Sequence, residues 1–352
     1  MSISKKQFGK IKGGQVAHLY TLKNKNGMQI DVTDFGANIV RILVPDKKGI
    51  FKDVVLGYDN PAQYEVNSPG YGSFIGRHAN RIGSARFELN NKTYTLEKND
   101  GNNNLHSGST SYNKHMYDVE IYDEDDETQI EFSRFSEDME QGFPGNLEVS
   151  VSYTLTNDNE LVIEYYAMSD KDTIINFTNH SYFNLAGHNS GNILNHKIMI
   201  DADKFTPTDD ELIPTGELRD VEGTPMDFRV LKSIGLDIEK DYIPLKQAGG
   251  YDHNYVLKTT RDEASKVAEL YEEHSGRLME VFTDMPGLQL YTGNFIDGKE
   301  KGKDKYIYNK RDGVCFETQY FPNSCNISEF PSCILKAGKE FDSVTIYKFS
   351  IR

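Results

Sequence analysis

Residues 147–168 read LEVSVSYTLTNDNELVIEYYAM, and this stretch decides the fold class. Apolar side chains occupy every second position from Leu147 to Leu155, and a similar alternation runs through residues 160–168. A period of two places successive side chains on opposite faces of an extended chain, so each half predicts a strand with one buried face. The intervening TNDN at 156–159 consists of residues that favour tight turns. The segment therefore predicts an antiparallel β-hairpin.

The same pattern recurs along much of the chain. It predicts further strands in residues 86–96 (strand, Asn-Asn turn, strand), 128–135, 193–200 and 344–351. Short turn signals separate such segments: NKNG at 24–27, DKKG at 46–49, NSG at 189–191 and EHSG at 273–276. The 21 Tyr and 19 Phe add to a composition that favours strands. Many short strands between turns predict an all-β protein of sandwich or barrel-like architecture.

Helices are expected to be few and short. Residues 261–273 favour a helix by propensity, but we interpret residues 267–271 and 277–283 as a β-hairpin because the neighbouring segments are all strands. Short helices are predicted around 60–64 and 229–234.

Length and charge limit the possible functions. No Pro-, Ser- or Gly-rich linker divides the 352 residues, so we expect one domain over residues 1–352. The formal net charge is −15, and no basic run is present. Because phosphate contacts need clustered Lys and Arg, we expect no binding to nucleic acid or to anionic membranes. The acidic run DEDDE at 123–127 is interpreted as a solvated hairpin tip.

Cysteine usage and the N-terminus favour a cytoplasmic location. The three cysteines, Cys315, Cys325 and Cys333, form no CxxC or Cys/His zinc pattern, and reduced thiols are the simplest interpretation. The N-terminal MSISKKQFGK has no apolar core of a signal peptide. No stretch approaches the ~18 apolar residues of a membrane helix.

Five polar clusters stand out against the predicted strands. They are GRHANRIGSARF (76–87), NDGNNNLHSG (99–108), NFTNHSYFNLAG (176–187), GGYDHNYVL (249–257) and VCFETQYFPNSCN (314–326). Structural explanations remain open for several of their members: ion pairs for Arg77 and Arg81, a loop hydrogen bond for His106, and a turn cap for Asp252. Glu317 differs, because it lies in an apolar strand-like run, where a carboxylate needs a partner or a function.

Several kinds of site fit these clusters poorly. His106, His180 and Asp252 could converge on a metal, but no closely spaced ligand pair supports that site. A Cys315 nucleophile would have Glu317 on the same strand face, and that carboxylate disfavours a thiolate. GxSxG, P-loop and GxGxxG patterns are absent. The remaining imidazoles, carboxylates, amides and rings suit a neutral, polyhydroxylated ligand.

The clusters together resemble the aldose 1-epimerase (galactose mutarotase) family. The matching segments follow one another along nearly the whole chain: FIGRHANRIGSARF, NNNLHSG, NFTNHSYFNLAG, IPTGE, GTPMDF, GYDHNY, PGLQLYTGNF and CFETQYFPNS. The resemblance implies a large antiparallel β-supersandwich that interconverts the α and β anomers of a free aldohexose. It also implies a monosaccharide substrate and no metal or nucleotide cofactor. Monomer and homodimer remain open.

The resemblance also implies roles for individual residues. Glu317 matches the catalytic base and His180 the catalytic acid. Substrate-binding positions are matched by Asn80, Arg81, His106, Asp252 and Gln289. No role follows for Arg77 or His78. A carboxylate near His180 is expected to favour the charged imidazolium.

Three alternatives are less well supported. A hexose-6-phosphate 1-epimerase needs a cationic pocket, to which the clusters contribute mainly Arg77 and Arg81. A non-catalytic sugar-binding protein of the same fold would be expected to lack Glu317 or His180, and both are present. A glycosidase needs two carboxylates, for which only Glu317 and Asp252 are candidates.

Overall fold

The computed structural model describes residues 2–123 and 128–352, with Asp123 described by its backbone alone. The strands of its first half are β1 (Ser2–Lys10), β2 (Val16–Lys23), β3 (Gln29–Thr33), β4 (Ile39–Pro45), β5 (Phe51–Asp53), β6 (Ser73–Ile75), β7 (Arg81–Ile82), β8 (Arg86–Leu89), β9 (Lys92–Thr95), β10 (Asn104–Leu105), β11 (Asp118–Asp123), β12 (Thr128–Ser136), β13 (Leu147–Leu155) and β14 (Glu160–Ser169). Those of its second half are β15 (Thr173–Ile174), β16 (Thr178–His180), β17 (Lys197–Ile200), β18 (Lys204–Phe205), β19 (Arg219–Asp220), β20 (Lys232–Ser233), β21 (Asp252–Val256), β22 (Ser265–Tyr271), β23 (Arg277–Thr283), β24 (Gly287–Tyr291), β25 (Cys315–Gln319), β26 (Ile334–Leu335) and β27 (Glu340–Ile351).

A nine-stranded antiparallel sheet is the largest element. Its strand order is β11-β12-β13-β14-β27-β23-β22-β17-β20. The predicted hairpin of β13 and β14 is confirmed, with Leu155 opposite Leu161 next to the turn. The inward side chains of β14 are buried because alternate residues of an antiparallel strand face the core.

Two five-stranded sheets complete the framework. One contains β1 to β5 in chain order, and the other has the order β19-β18-β21-β24-β25. One apolar cluster includes Ile30 of the first, Val151 of the nine-stranded sheet and Leu288 of the second, so the three sheets share a core. The all-β supersandwich expectation is confirmed.

Most individual strand predictions are also confirmed. Strands β22 and β23 form the predicted hairpin, and β22 is held between β23 and β17, which overrides the helical propensity of its sequence. The strand predicted at 193–200 begins only at Lys197. The run at 123–127 lies outside the residues that are fully described.

The helix predictions are only partly correct. Helix α1 (Pro61–Val66) confirms the first: the Asn60 side chain caps it by accepting a hydrogen bond from the Gln63 N–H. The helix predicted at 229–234 is wrong, because strand β20 occupies Lys232–Ser233 and a 3₁₀ turn follows. The sequence analysis missed helix α2 (Ile243–Ala248), which ends at Gly249 in the left-handed conformation. No described helix has both the length and the apolar character needed to cross a membrane.

Candidate active site

The register of three neighbouring strands gathers polar side chains on one face of a sheet. Gln289 of β24 lies opposite Glu317 of β25, and Tyr291 lies opposite both Cys315 and Asp252 of the flanking strands. Directly opposed residues in antiparallel strands share a face, and so do residues two apart. Two carboxylates, an amide and a phenol ring therefore line one patch, although they come from distant parts of the chain.

His180 reaches this patch from a different sheet. Strand β16 pairs with β6, and His180 at its end lies opposite Ser73. The His180 Nε2 lies 3.5 Å from the Glu317 Oε1. The imidazole stacks on the Tyr182 ring, with centroids 5.0 Å apart. Strand pairing and ring packing together fix the imidazole beside the carboxyl group.

A third segment brings in Arg81 and His106. The short strands β7 and β10 pair Arg81 with Leu105, which places His106 next to Asn80. The Asn80 backbone N–H donates to the His106 Nδ1 at 3.1 Å. The rings of His106 and His180 lie edge to face, with centroids 5.4 Å apart. Within this arrangement the His106 Nε2 is the ring nitrogen left for a ligand.

Arg81 and Asp252 form the opposite side of the site. The Arg81 Nε donates to the Asp100 Oδ2 at 2.8 Å, and its Nη1 lies 3.9 Å from the Asp252 Oδ2. The other Asp252 oxygen accepts a hydrogen bond of 2.7 Å from the Gln289 Nε2. Both side chains are thus held in fixed orientations before any ligand binds.

These groups surround one cavity of about 930 Å³. Six of the seven predicted site residues line it: Asn80, Arg81, His106, His180, Asp252 and Glu317. Gln289, the seventh, does not line the cavity but orients Asp252 through their hydrogen bond. The rings of Tyr71, Tyr182, Tyr291 and Phe295 supply apolar walls, which suit the apolar face of a sugar ring.

Burial controls the protonation of the central pair. It raises the pKa of Glu317 well above its usual value; the nearby Asp252 carboxylate adds to this rise, and Arg81 opposes it. It lowers the pKa of His180 to about 4. The expectation that the carboxylate would favour an imidazolium is therefore wrong, because desolvation outweighs the attraction of the neighbour. Both shifts favour the uncharged forms, in which the single proton of the pair lies on the carboxyl group.

The neighbouring groups are also desolvated. Burial lowers the pKa of His106 well below its usual value, and the nearby His180 and Arg81 lower it further. Burial raises the pKa of Asp252, against the opposing effects of Arg81 and the Gln289 hydrogen bond. Among the described residues the Glu317 Oε2 has no hydrogen-bond partner, so it is free to accept a hydrogen bond from a ligand hydroxyl.

Comparison with known proteins shows the family of the chain. A family model described as aldose 1-epimerase matches residues 18–348. The chain belongs to the aldose 1-epimerase family. A galactose mutarotase from Sus scrofa is 40% identical over 351 residues, which cover 100% of this chain and 99% of the relative. An aldose 1-epimerase from Escherichia coli (strain K12) is 36% identical and covers 96% of each chain.

A solved structure extends the likeness to the fold. The galactose 1-epimerase from Lactobacillus acidophilus NCFM matches with a TM-score of 0.88 and 26% identity, over 100% of this chain and 99% of that one. The family resemblance found in the sequence is confirmed by these comparisons.

Two residues of the polar cluster at 76–87, Arg77 and His78, do not line the cavity. Arg77 is fully buried, and its guanidinium donates to the carbonyls of Pro144 and Gly145, each at 2.9 Å. Its role is structural, through backbone carbonyls rather than an ion pair. His78 is fully buried as well and lies outside the cavity lining.

Cys315 is a site residue that the sequence analysis set aside. Its Sγ lies 3.5 Å from the His180 Nδ1. Burial raises the pKa of the Cys315 thiol well above its usual value, and Glu317 raises it further, so the sulfur keeps its proton. A protonated thiol can donate to the Nδ1 of a neutral His180, which would place the imidazole proton on Nε2, facing Glu317. Cys315 and Glu317 are two positions apart in one strand, so their side chains share a face. This spacing could have shown that Cys315 also lies near the partner of Glu317.

One group of described residues has the composition of a metal site. His106, His180 and Glu317 each offer a ligand atom, and these atoms all lie within 4.8 Å of one another. The set differs from the trio considered from sequence, in which Asp252 took the place of Glu317. The same three side chains are the ones that the family resemblance matches to the acid, the base and a sugar-binding position.

Proposed function

We propose that this protein interconverts the α and β anomers of a free aldohexose, with Glu317 as the base and His180 as the acid. The observation that carries the proposal is the Glu317–His180 pair, 3.5 Å apart, in a cavity of about 930 Å³ in a member of the aldose 1-epimerase family. Relatives named galactose mutarotase support galactose as a substrate. Glucose, which differs at one hydroxyl, is the second candidate.

The reaction needs one base and one acid. Glu317 takes the proton from the C1 hydroxyl, and the C1–O bond to the ring oxygen breaks as that oxygen receives a proton from His180. The product is the open-chain aldehyde. Rotation about the C1–C2 bond by about half a turn exposes the other face of the carbonyl. Ring closure then runs the same proton transfers in reverse, so both side chains return to their starting states.

The Glu317–His180 pair contains the number of protons that this mechanism needs. The neutral pair and the carboxylate–imidazolium pair contain the same single proton, and they differ only in its position. Sugar hydroxyls that donate to Glu317 stabilise its charged form. Binding of the sugar therefore favours the ionised arrangement, in which the base and the acid are both ready.

The other predicted residues either bind the sugar or position the side chains that bind it. Arg81 and Asp252 present a donor and an acceptor that suit neighbouring hydroxyls, and Gln289 keeps Asp252 oriented. His106 lies beside His180 and is proposed to hydrogen-bond near the ring oxygen. Asn80 positions His106 through its backbone N–H.

The remaining expectations from sequence belong to the same proposal. We propose a cytoplasmic monomer or homodimer; its three cysteines are all free thiols. Sedimentation analysis of the purified protein separates the two oligomeric states.

The proposal is tested by polarimetry of freshly dissolved α-D-galactose and α-D-glucose, with the buffer-catalysed rate subtracted. We expect the protein to accelerate both, and His180→Asn to lower kcat by about 10²–10⁴-fold, the usual contribution of an acid catalyst. A rise in KM alone would make His180 a binding residue and assign proton donation elsewhere. No acceleration of any free aldose by the wild-type protein would refute the proposal.

A further inference from the structure

A second cavity, of about 810 Å³, lies apart from the active site, and two cysteines line it. Cys325 lies in the 3₁₀ turn Ser324–Asn326, and Cys333 immediately precedes β26. Both pack on the same small apolar cluster, which includes Phe87 and Phe143. Cys325 is partly exposed, whereas Cys333 is only 1% exposed. The cavity therefore gives a small reagent access to a pair of thiols.

The two thiols line one cavity and pack on one apolar cluster. Each side chain is close enough to change the pKa of the other. Neither cysteine is disulfide-bonded in the structure. Eight positions separate them in sequence, and the intervening chain turns where the Phe330 N–H donates to the Ile327 carbonyl. A pair of thiols in this arrangement is a ready precursor of a disulfide.

We propose that Cys325 and Cys333 form an oxidisable dithiol site, which hydrogen peroxide converts to an intramolecular disulfide. The Cys333 sulfur attacks one peroxide oxygen, the O–O bond breaks, and the released hydroxide takes up a proton as water. The Cys325 sulfur then attacks the resulting sulfenic acid. The S–S bond forms, the S–O bond breaks, and a second water leaves. The two thiols lose two electrons and two protons, and peroxide is reduced to two waters.

The surroundings assign the first step to Cys333. The neighbouring Cys325 side chain and the nearby His78 hold the pKa of the Cys333 thiol well below its usual value, whereas the neighbouring Cys333 and burial raise the pKa of Cys325. The thiolate is the nucleophilic form, so Cys333 attacks and Cys325 resolves. Cys315 is excluded, because its sulfur contacts the His180 Nδ1 instead and it does not line this cavity.

The dithiol site is linked to the active site through Asn323. Its backbone N–H donates to the Arg81 carbonyl at 2.8 Å, and its side chain accepts from the Gly83 N–H at 3.0 Å. We expect a disulfide at the adjoining turn to displace this link. This expectation rests on the proposed role of Arg81 in sugar binding. The oxidised protein should then have a KM about fivefold higher, the effect of one weakened hydrogen bond, and an unchanged kcat.

Peptide mapping tests the disulfide without any activity measurement. The full-length protein is treated with hydrogen peroxide, quenched with catalase, denatured in acid and alkylated. Trypsin leaves all three cysteines on one peptide, 312–336, whereas cleavage after Glu317 and Glu329 separates them. We expect a cross-link between peptides 318–329 and 330–340, a mass loss of two hydrogens and one alkylated thiol, that of Cys315.

Variants and alternative outcomes decide the assignment. Cys325→Ser and Cys333→Ser should each abolish the cross-link, and Cys315→Ala should retain it. Three alkylated thiols after peroxide, a sulfinic acid on Cys333 beside a free Cys325, or a bridge to Cys315 would each overturn the proposal. A cross-link with an unchanged KM would overturn only the link to Arg81. Absence of epimerase activity in the untreated protein would instead count against the proposed function.

Discussion

At the level of single residues, Glu317 carried most of the information in the sequence. A carboxylate in an apolar strand needed a partner or a function, and the side chain is indeed 97% buried beside His180, with 3% of it exposed. The protonation of the pair was not predictable, because the pKa of His180 depends on its burial by Tyr182, Tyr291 and other side chains. The sequence does not show that these side chains surround it. The contact of Cys315 with His180 was missed even though Cys315 and Glu317 are two positions apart on one strand face.

The shared proton predicts a broad, bell-shaped dependence of kcat/KM on pH. As the pH falls, His180 takes a second proton near its pKa of about 4, and with Glu317 already protonated the pair has no base left. As the pH rises, the pair loses its single proton and has no acid left; the raised pKa of Glu317 places this limb well above pH 4.5. Both apparent values belong to the pair.

Polarimetry across this pH range, corrected for the buffer-catalysed rate, measures the profile. An acid limb near pH 6.5, the value of an ordinary histidine, would show that His180 is not desolvated as the structure indicates.

At the level of strands and helices, the sequence predicted elements better than their pairing. Alternating apolar residues identified β13 and β14 because that pattern is local. The register that places Gln289 opposite Glu317 has no local signature, and neither does the pairing of β16 with β6. The incorrect helix at 229–234 is likewise a short segment whose structure is set by its neighbour, β17.

Gly72 shows how an element fixes the site. It precedes β6, has a φ of +67°, and donates its N–H to the His180 carbonyl at 3.1 Å. A Cβ at this position would lie 1.9 Å from the Ile39 carbonyl oxygen. We expect Gly72→Ala to lower the free energy of unfolding by ~3 kcal/mol or more, through strain and displacement of backbone. Urea unfolding followed by circular dichroism measures this loss.

Gly338→Ala is the matched control. Gly338 has nearly the same φ, +68°, but a Cβ there meets no atom within 4 Å. Its substitution should cost only the ~1 kcal/mol of the left-handed conformation. Equal losses in the two variants would show that the contact with Ile39 does not constrain β6.

At the level of the whole molecule, packed sheets and loops bring together residues far apart in the chain. Neither composition nor periodicity could show that His180 and Glu317 meet; the order of the family motifs supplied that expectation. The net charge of the chain is −15, and acidic residues are also in excess around the cavity. Acidic residues around the cavity include Glu65, Asp100, Asp210, Glu211, Asp297 and Glu300. The cations that line it are Arg81 and Lys114, among the described residues.

This charge distribution predicts discrimination against sugar phosphates. Arg81 is engaged by Asp100, and the Lys114 ammonium donates to the carbonyls of Tyr64, Glu65 and Val66. No free cation is therefore left among the described cavity residues to bind a phosphate. Because like charges brought together cost several kcal/mol, kcat/KM for glucose 6-phosphate should be about 100-fold or more below that for glucose.

Added salt should narrow this difference, since it screens repulsion, while the rate with neutral glucose stays nearly constant. Polarimetry with both sugars at two ionic strengths provides the comparison. A preference for glucose 6-phosphate would favour the hexose-6-phosphate epimerase instead.

In the proposed mechanism Glu317 takes the proton of the C1 hydroxyl, and Glu317→Gln removes this ability. The amide keeps the size of the side chain but cannot act as the base. Glu148→Gln, on an exposed position of β13, controls for the loss of a carboxylate alone. With unchanged unfolding curves, we predict that Glu317→Gln lowers kcat for α-D-galactose by about 10³-fold or more and that Glu148→Gln leaves it unchanged. A Glu317→Gln protein with wild-type kcat would contradict the account.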